Sequence, residues 1–376
     1  MLTLILCMIG CVPSSSVYDP IPEIDQDSGQ DADDSRELND TGDTGDVDDD
    51  GGVDDTGASD ELPVDPFGVG PYPVGFVESE VVYTTDYPVG EGVERALPVR
   101  VWYPEGFVGD VPVIVVSHGG DGAFFGHRSF AYLGEAFAAS GYLSVHISHV
   151  PSLGGTFHRW DRPFDVSAVV DALTDETLSL PDGFAGAVRL DRVGHIGHSW
   201  GAYTAHAVAG ALFTDPTTAA PDARWTFRDA RIRAIVALSP QGFDGFGSYD
   251  EQEDIALPST DNSWSVVPVP AYNLVGEAEK DGVAGVSDLE RCPACFRAVD
   301  WRLFPFARYP SDGDRYLSVV PGQNHSQMGT DGDDAVQRFI STNARLFFDL
   351  YLKAREDVRD QIGLESMLEG TDNRRK

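Results

Sequence analysis

Basic residues are scarce in this chain: 26 Lys and Arg stand against 62 Asp and Glu, a formal charge of −36 over 376 residues. Such an acidic balance excludes a surface built for nucleic acid or for anionic lipid. Cysteine is also scarce, with four in all. Cys7 lies in an N-terminal apolar run and Cys11 follows it, which leaves Cys292 and Cys295, spaced as C-P-A-C, for the folded part. A structural zinc site wants four ligands and no second cysteine pair exists, so a metal is not expected. If the chain is exported, a local Cys292–Cys295 disulfide pinning a surface loop is expected instead. The apolar run itself, MLTLILCMIG, is too short to cross a bilayer as a helix. No internal repeat is present.

The acidity is concentrated. Residues 18–65 hold nineteen Asp or Glu and one Arg (Arg36), supplying −18, half of the total. With almost no aromatics and no hydrophobic period, this stretch cannot bury enough apolar surface to offset its ordering entropy, and disorder is expected. Its DVDDDGG and DTGDTGD runs lack the closing Glu of a calcium loop, so a solvated linker is the better reading. At the N-terminus, Met8-Ile9-Gly10-Cys11 resembles a bacterial lipobox. The resemblance implies a signal peptide over residues 1–11, lipidation of Cys11, and export to an outer membrane or cell surface. An ordinary cleaved signal, with a secreted or periplasmic product, is the alternative. Residues 12–66 would then be a self-repelling tether between the membrane anchor and a domain over 67–376.

Within that domain the pattern is α/β. GFVESEVVYTTD and RALPVRVWYP alternate apolar and polar residues, as half-exposed antiparallel strands do. VPVIVVSHGG is a continuous β-branched run, expected of a buried parallel strand. SFAYLGEAFAASG shows helical spacing and ends at Gly141, a suitable C-cap. Strands and helices then alternate to about residue 350, with RYLSVVPG as the last strand and DAVQRFISTNARLFFDLYLK as the closing helix. A mostly parallel sheet with helices on both faces follows. Residues 211–230 and 241–265 interrupt the alternation and are expected to form a small cap.

Gly197-His198-Ser199-Trp200-Gly201 matches G-x-S-x-G between a predicted strand and a predicted helix. That is the context of the nucleophile elbow of the α/β-hydrolase fold, where a strained turn lifts the serine hydroxyl from the sheet. A serine is a poor nucleophile at neutral pH and needs a base. In this fold the order is Ser, acid, His, and only two histidines lie beyond Ser199. His206 sits in the helix that follows the turn and cannot reach back, so His325 is the candidate base. The acid should follow the strand ending at Gly276, in Glu277-Ala278-Glu279-Lys280-Asp281-Gly282. Asp281 and Glu279 both stand at a plausible distance, with Glu277 a weaker third. Two backbone N–H donors are expected for an oxyanion: Trp200, after the nucleophile, and Gly120, after His118-Gly119, with Asp121 as fallback. His118, His195 and His198 read as structural. Phe124, Phe125, Phe157 and Trp160 are candidates for an apolar pocket.

PYPVGF, RALPVRVWYP, PVIVVSHGG, RPFDVSAVVDAL, DRVGHIGHSWGAYTA and AIVALSP together resemble the serine α/β-hydrolases related to platelet-activating-factor acetylhydrolase and the predicted dienelactone hydrolases. The resemblance spans roughly residues 70–350. It implies ester hydrolysis through an acyl-serine, without metal or other cofactor, on a small or short-chain ester. A serine nucleophile argues against true dienelactone hydrolases, which use cysteine. A cutinase- or lipase-like specificity is the alternative within the enzymes, and a binding module on an inactive hydrolase fold the alternative outside them. The chain is expected to act as a monomer.

Overall fold

The computed structural model describes residues 70–85, 92–120, 126–150, 161–181, 184–215, 217–218, 220, 223–242, 263–279, 299–363 and 368–376. Their strands, in chain order, are β1 (Val74–Thr84), β2 (Glu94–Pro104), β3 (Asp110–Ser117), β4 (Leu143–Ile147), β5 (Ala187–His198), β6 (Leu212–Thr214), β7 (Arg224–Thr226), β8 (Ile232–Leu238), β9 (Ala271–Gly276), β10 (Arg315–Val320) and β11 (Asp372–Arg375). All but β6 and β7 form one nine-stranded sheet in the order β1-β2-β4-β3-β5-β8-β9-β10-β11. From β4 through β3, β5, β8 and β9 to β10 every pairing is parallel. The pairs β1–β2, β2–β4 and β10–β11 are antiparallel.

The apolar runs explain which strands lie inside. Along β3, Val111, Val113 and Val115 enter one core, while Ile114 and Val116 enter a second on the opposite face. A strand buried on both faces needs no polar alternation, which is why VPVIVV carries none. The first face is covered by α2 (Asp161–Thr174) and α3 (Trp200–Ala209), through Val166, Val169, Tyr203 and Val208. The second is covered by α1 (Ala131–Ala139) and the long α5 (Asp334–Leu352), through Leu133, Phe137, Phe339 and Phe347. A further helix, α4 (Val299–Arg308), follows β9. The Asp333 side chain caps α5 by accepting from the N–H groups of Ala335 and Val336, each at 3.0 Å. Among the described residues, no helix is long and apolar enough to cross a membrane.

One expectation needs correcting. RYLSVVPG, as β10, is not the last strand: β11 pairs beyond it, with Tyr316 opposite Arg375. Asp372–Arg375, DNRR, has no apolar residue, so neither periodicity nor β-propensity marks it; it is held through backbone pairing at an edge. Within 211–230, β6 (Leu212–Thr214) and β7 (Arg224–Thr226) form a separate antiparallel hairpin. It follows the C-terminal end of α3, about 15 Å along the helix axis from Ser199 at the other end. Most of 241–265 lies outside the described residues.

Among the described residues seven histidines are buried: His118, His127, His146, His149, His195, His198 and His206. Burial lowers all of them, with His146, His195, His198 and His206 held at about 3. Their folded pKa lies below the unfolded value, so as pH falls below 6.5 the unfolded chain binds protons that the folded chain refuses. Each such histidine removes about 1.4 kcal/mol of stability per pH unit in that window. Four together remove roughly 5–6 kcal/mol per unit, comparable with the whole stability of an ordinary domain. Cooperative loss of near-UV circular dichroism is expected between about pH 5 and 4. Retention of the signal at lower pH would show that these rings charge inside the fold.

Candidate active site

The parallel strands end together. Ser117 of β3 pairs with Gly197 of β5, His198 of β5 with Leu238 of β8, Leu238 with Leu274 of β9, and Gly276 of β9 with Val320 of β10. The segments carrying His118-Gly119-Gly120, Ser199, Ser239, Glu279 and His325 therefore leave the same end of the sheet. In an open α/β sheet that is where side chains from distant parts of the chain converge.

Ser199 stands between β5 and α3 with φ 54° and ψ −115°, a sparsely populated conformation for a residue with a side chain. Its backbone is held there: its N–H donates to Leu238 O at 2.9 Å, and its carbonyl accepts from Ala202 and Tyr203 at 2.9 and 3.1 Å. The flanking glycines are required by space. A Cβ on Gly201 would lie 2.1 Å from Ser117 O, and one on Gly197 would lie 2.4 Å from the Gly201 backbone. Trp200 opens α3, so its N–H lies outside the helix's own ladder and the positive end of the helix dipole faces this corner. Gly119 passes close on the other side: a Cβ there would sit 3.0 Å from Ser199 Cβ.

Residue 325 is brought to the same corner. The His198 ring donates from Nε2 to the His325 carbonyl at 2.8 Å, and the two imidazole centroids are 4.6 Å apart. His198 is thus the strut between the Ser199 turn and the loop after β10. His325 Nδ1 donates to Glu279 Oε2 at 3.1 Å. Among the described residues the Ser199 hydroxyl makes no hydrogen bond.

Of the two described candidate acids, Glu277 and Glu279, Glu279 is the one that meets His325. Its carboxylate is fully buried; Oε1 accepts from Ser239 Oγ at 2.6 Å and from Gly276 N–H at 2.9 Å. Its Oε2 faces both His325 and Arg302 Nε, the latter at 2.8 Å. Burial alone would raise this carboxyl, but the Arg302 charge and the hydrogen bonds from His325 and Ser239 outweigh it and hold it at about 2. Glu277 turns elsewhere and accepts from Gly322 N–H at 3.1 Å. Asp281, Asp121, Cys11, Cys292 and Cys295 lie outside the described residues. So do the pocket candidates Phe124, Phe125, Phe157 and Trp160. His206 is occupied deep in α3, its Nε2 paired with Tyr309 OH at 2.6 Å.

Arg302, on α4, was not singled out in the sequence. It also donates from Nη1 to the carbonyls of Ser239 and Pro240, at 2.9 and 3.1 Å. Burial and the Arg302 cation lower His325, against the opposing pull of Glu279, so the ring is neutral at neutral pH. Removing the cation in Arg302→Leu should make the imidazolium easier to form, and the His325 titration followed by proton NMR should move to higher pH. Arg302→Lys, which keeps the charge, should move it less. A downward shift in Arg302→Leu would contradict this electrostatic account.

Among the described residues no group of three or more His, Cys, Asp or Glu is placed to hold a metal ion. No family model matches the chain, and no curated protein matches it.

Proposed function

We propose that this chain is a serine carboxylic ester hydrolase built on the α/β-hydrolase fold. The observation that carries the reading is Ser199 at a strained strand-to-helix bend whose neighbour His198 holds the His325 carbonyl, with the His325 ring paired to the buried carboxylate of Glu279. The sheet order and the position of that bend after β5 support the fold. His325 takes the Ser199 proton through Nε2 while Nδ1–H stays bonded to Glu279, which stabilises the imidazolium that forms. The Ser199 oxygen attacks the ester carbonyl, and the Gly120 and Trp200 N–H groups receive the oxyanion. The alcohol leaves with the proton from His325. Water then attacks the acyl-serine by the same route, with His325 again as base.

Incubation of the folded full chain with a fluorophosphonate should add one phosphonyl group, located by peptide mass spectrometry at Ser199. Absence of labelling on folded protein would overturn the reading in favour of a binding module. A p-nitrophenyl ester series should show turnover falling with acyl length; a rise toward long chains would select the lipase- or cutinase-like alternative. The N-terminal tetrad supports export as a lipoprotein anchored through Cys11, with residues 12–66 as tether.

A further inference from the structure

We propose that Arg162 is a positioning residue that builds the oxyanion site by fixing the backbone of His118-Gly119-Gly120. This rests on the hydrolase reading above. Arg162 lies in the first turn of α2 and is 2% exposed. Its Nη1 donates to His118 O at 2.7 Å and its Nη2 to Gly120 O at 2.5 Å. The intervening carbonyl, Gly119 O, is taken by the His118 ring through Nδ1 at 2.7 Å. The tautomer is decided by the other ring nitrogen, since His118 Nε2 accepts from His149 N–H at 3.0 Å and so carries no proton. Two side chains thus account for three consecutive carbonyls.

A trans peptide unit is planar, with its N–H antiparallel to its C=O. Pinning the carbonyls of residues 118 and 119 therefore aims the N–H groups of Gly119 and Gly120 to the opposite side. Gly120 holds φ 68° and its own carbonyl is turned back to Arg162. Oxyanion donors help only if they are oriented before charge develops, because reorientation during the reaction would return the gain.

Arg162 is itself seated on a buried network spanning β1, β2, β3, β5 and α2. Its neighbour Asp161 accepts from Arg95 Nη1 at 2.9 Å. Asp165, one helical turn on, accepts from Tyr83 OH at 2.7 Å, from Arg95 Nε and Nη2 at 2.8 and 3.0 Å, and from His149 Nδ1 at 2.8 Å. His149 Nε2 meets Ser117 Oγ at 2.8 Å, and Ser117 Oγ meets His195 Nε2 at 2.9 Å. Asp165, His149 and Ser117 thus repeat the connectivity of a catalytic triad, yet they are at most 1% exposed and no substrate reaches them. Two arginines balance two aspartates around neutral imidazoles, which lets the assembly lie beneath the oxyanion loop without a net buried charge.

The test uses Arg162→Met and Arg162→Lys in the full chain, with folding checked by circular dichroism. Folded Arg162→Met should lose about 10²–10³-fold in kcat on a p-nitrophenyl ester, with KM little changed. Affinity for a trifluoromethyl ketone, whose adduct carries the oxyanion, should fall in parallel. The acidic limb of the pH profile, set by His325, should stay in place. Arg162→Lys should lose less. An unchanged kcat, or a loss accompanied by a shifted acidic limb, would overturn the proposal. Backbone ¹⁵N relaxation gives a reading independent of turnover: the order parameters of the Gly119 and Gly120 amides should fall in both variants, and unchanged values also overturn it. If wild type shows neither turnover nor labelling, the hydrolase reading fails, while relaxation still decides whether Arg162 holds the loop.

Discussion

Ser199→Ala is expected to lower ester turnover by a factor on the order of 10⁶ and to abolish fluorophosphonate labelling. The change is confined to one hydroxyl. Alanine keeps the Cβ, and the bend is held by the backbone bond from residue 199 to Leu238 O, which the substitution leaves intact. The hydroxyl makes no hydrogen bond among the described residues, so the thermal midpoint should stay near that of the wild type. Full loss of turnover with unchanged stability is the pairing expected of a nucleophile and not of a packing residue. Turnover surviving in a folded Ser199→Ala would move the chemistry elsewhere in the molecule.

Glu279→Gln should cost about 10⁴-fold in kcat, for a different reason. The amide has the shape of the carboxylate but not its charge, and can turn an NH₂ group toward His325 Nδ1. The imidazole then places its proton on Nε2, the nitrogen that must accept from Ser199, and the imidazolium loses its counter-charge. The substitution also strands Arg302, buried at 7% exposure, without its carboxylate. Breaking a buried pair from one side typically costs about 3–5 kcal/mol, so a lowered thermal midpoint should accompany the kinetic loss. Asp281→Asn should leave both properties near wild type. A large loss in Asp281→Asn, with Glu279→Gln active, would reverse the assignment.

Much of the sheet was legible because burial on both faces writes itself as unbroken apolar runs, as in VPVIVV and AIVAL. The bend at Ser199 was legible because only glycine fits at positions 197 and 201, where strand and helix backbones nearly touch. His325 stood out because so few histidines follow Ser199. The partner carboxylate stayed open. Glu279 and Asp281 are equivalent in one dimension, and what marks Glu279 is the convergence of Arg302, Ser239 and Gly276 on its carboxylate from three places in the fold. Arg302 itself lies twenty-three residues beyond Glu279 and carries no local signal. RPFDV stood out in the sequence only through resemblance; its physical role appears once Arg162 is seen on two loop carbonyls and Asp165 on Arg95 and His149. The edge strand β11 was invisible because charged residues carry no hydrophobic alternation.

That edge strand has a practical consequence for anyone preparing the protein. Its pairing with β10 is continued by Lys376, which exchanges backbone hydrogen bonds with Arg315 at 3.0 and 3.2 Å. β10 leads directly into the turn bearing His325. Deleting Asp372–Arg375 would therefore strip the outer rail from the strand that leads to the His325 turn.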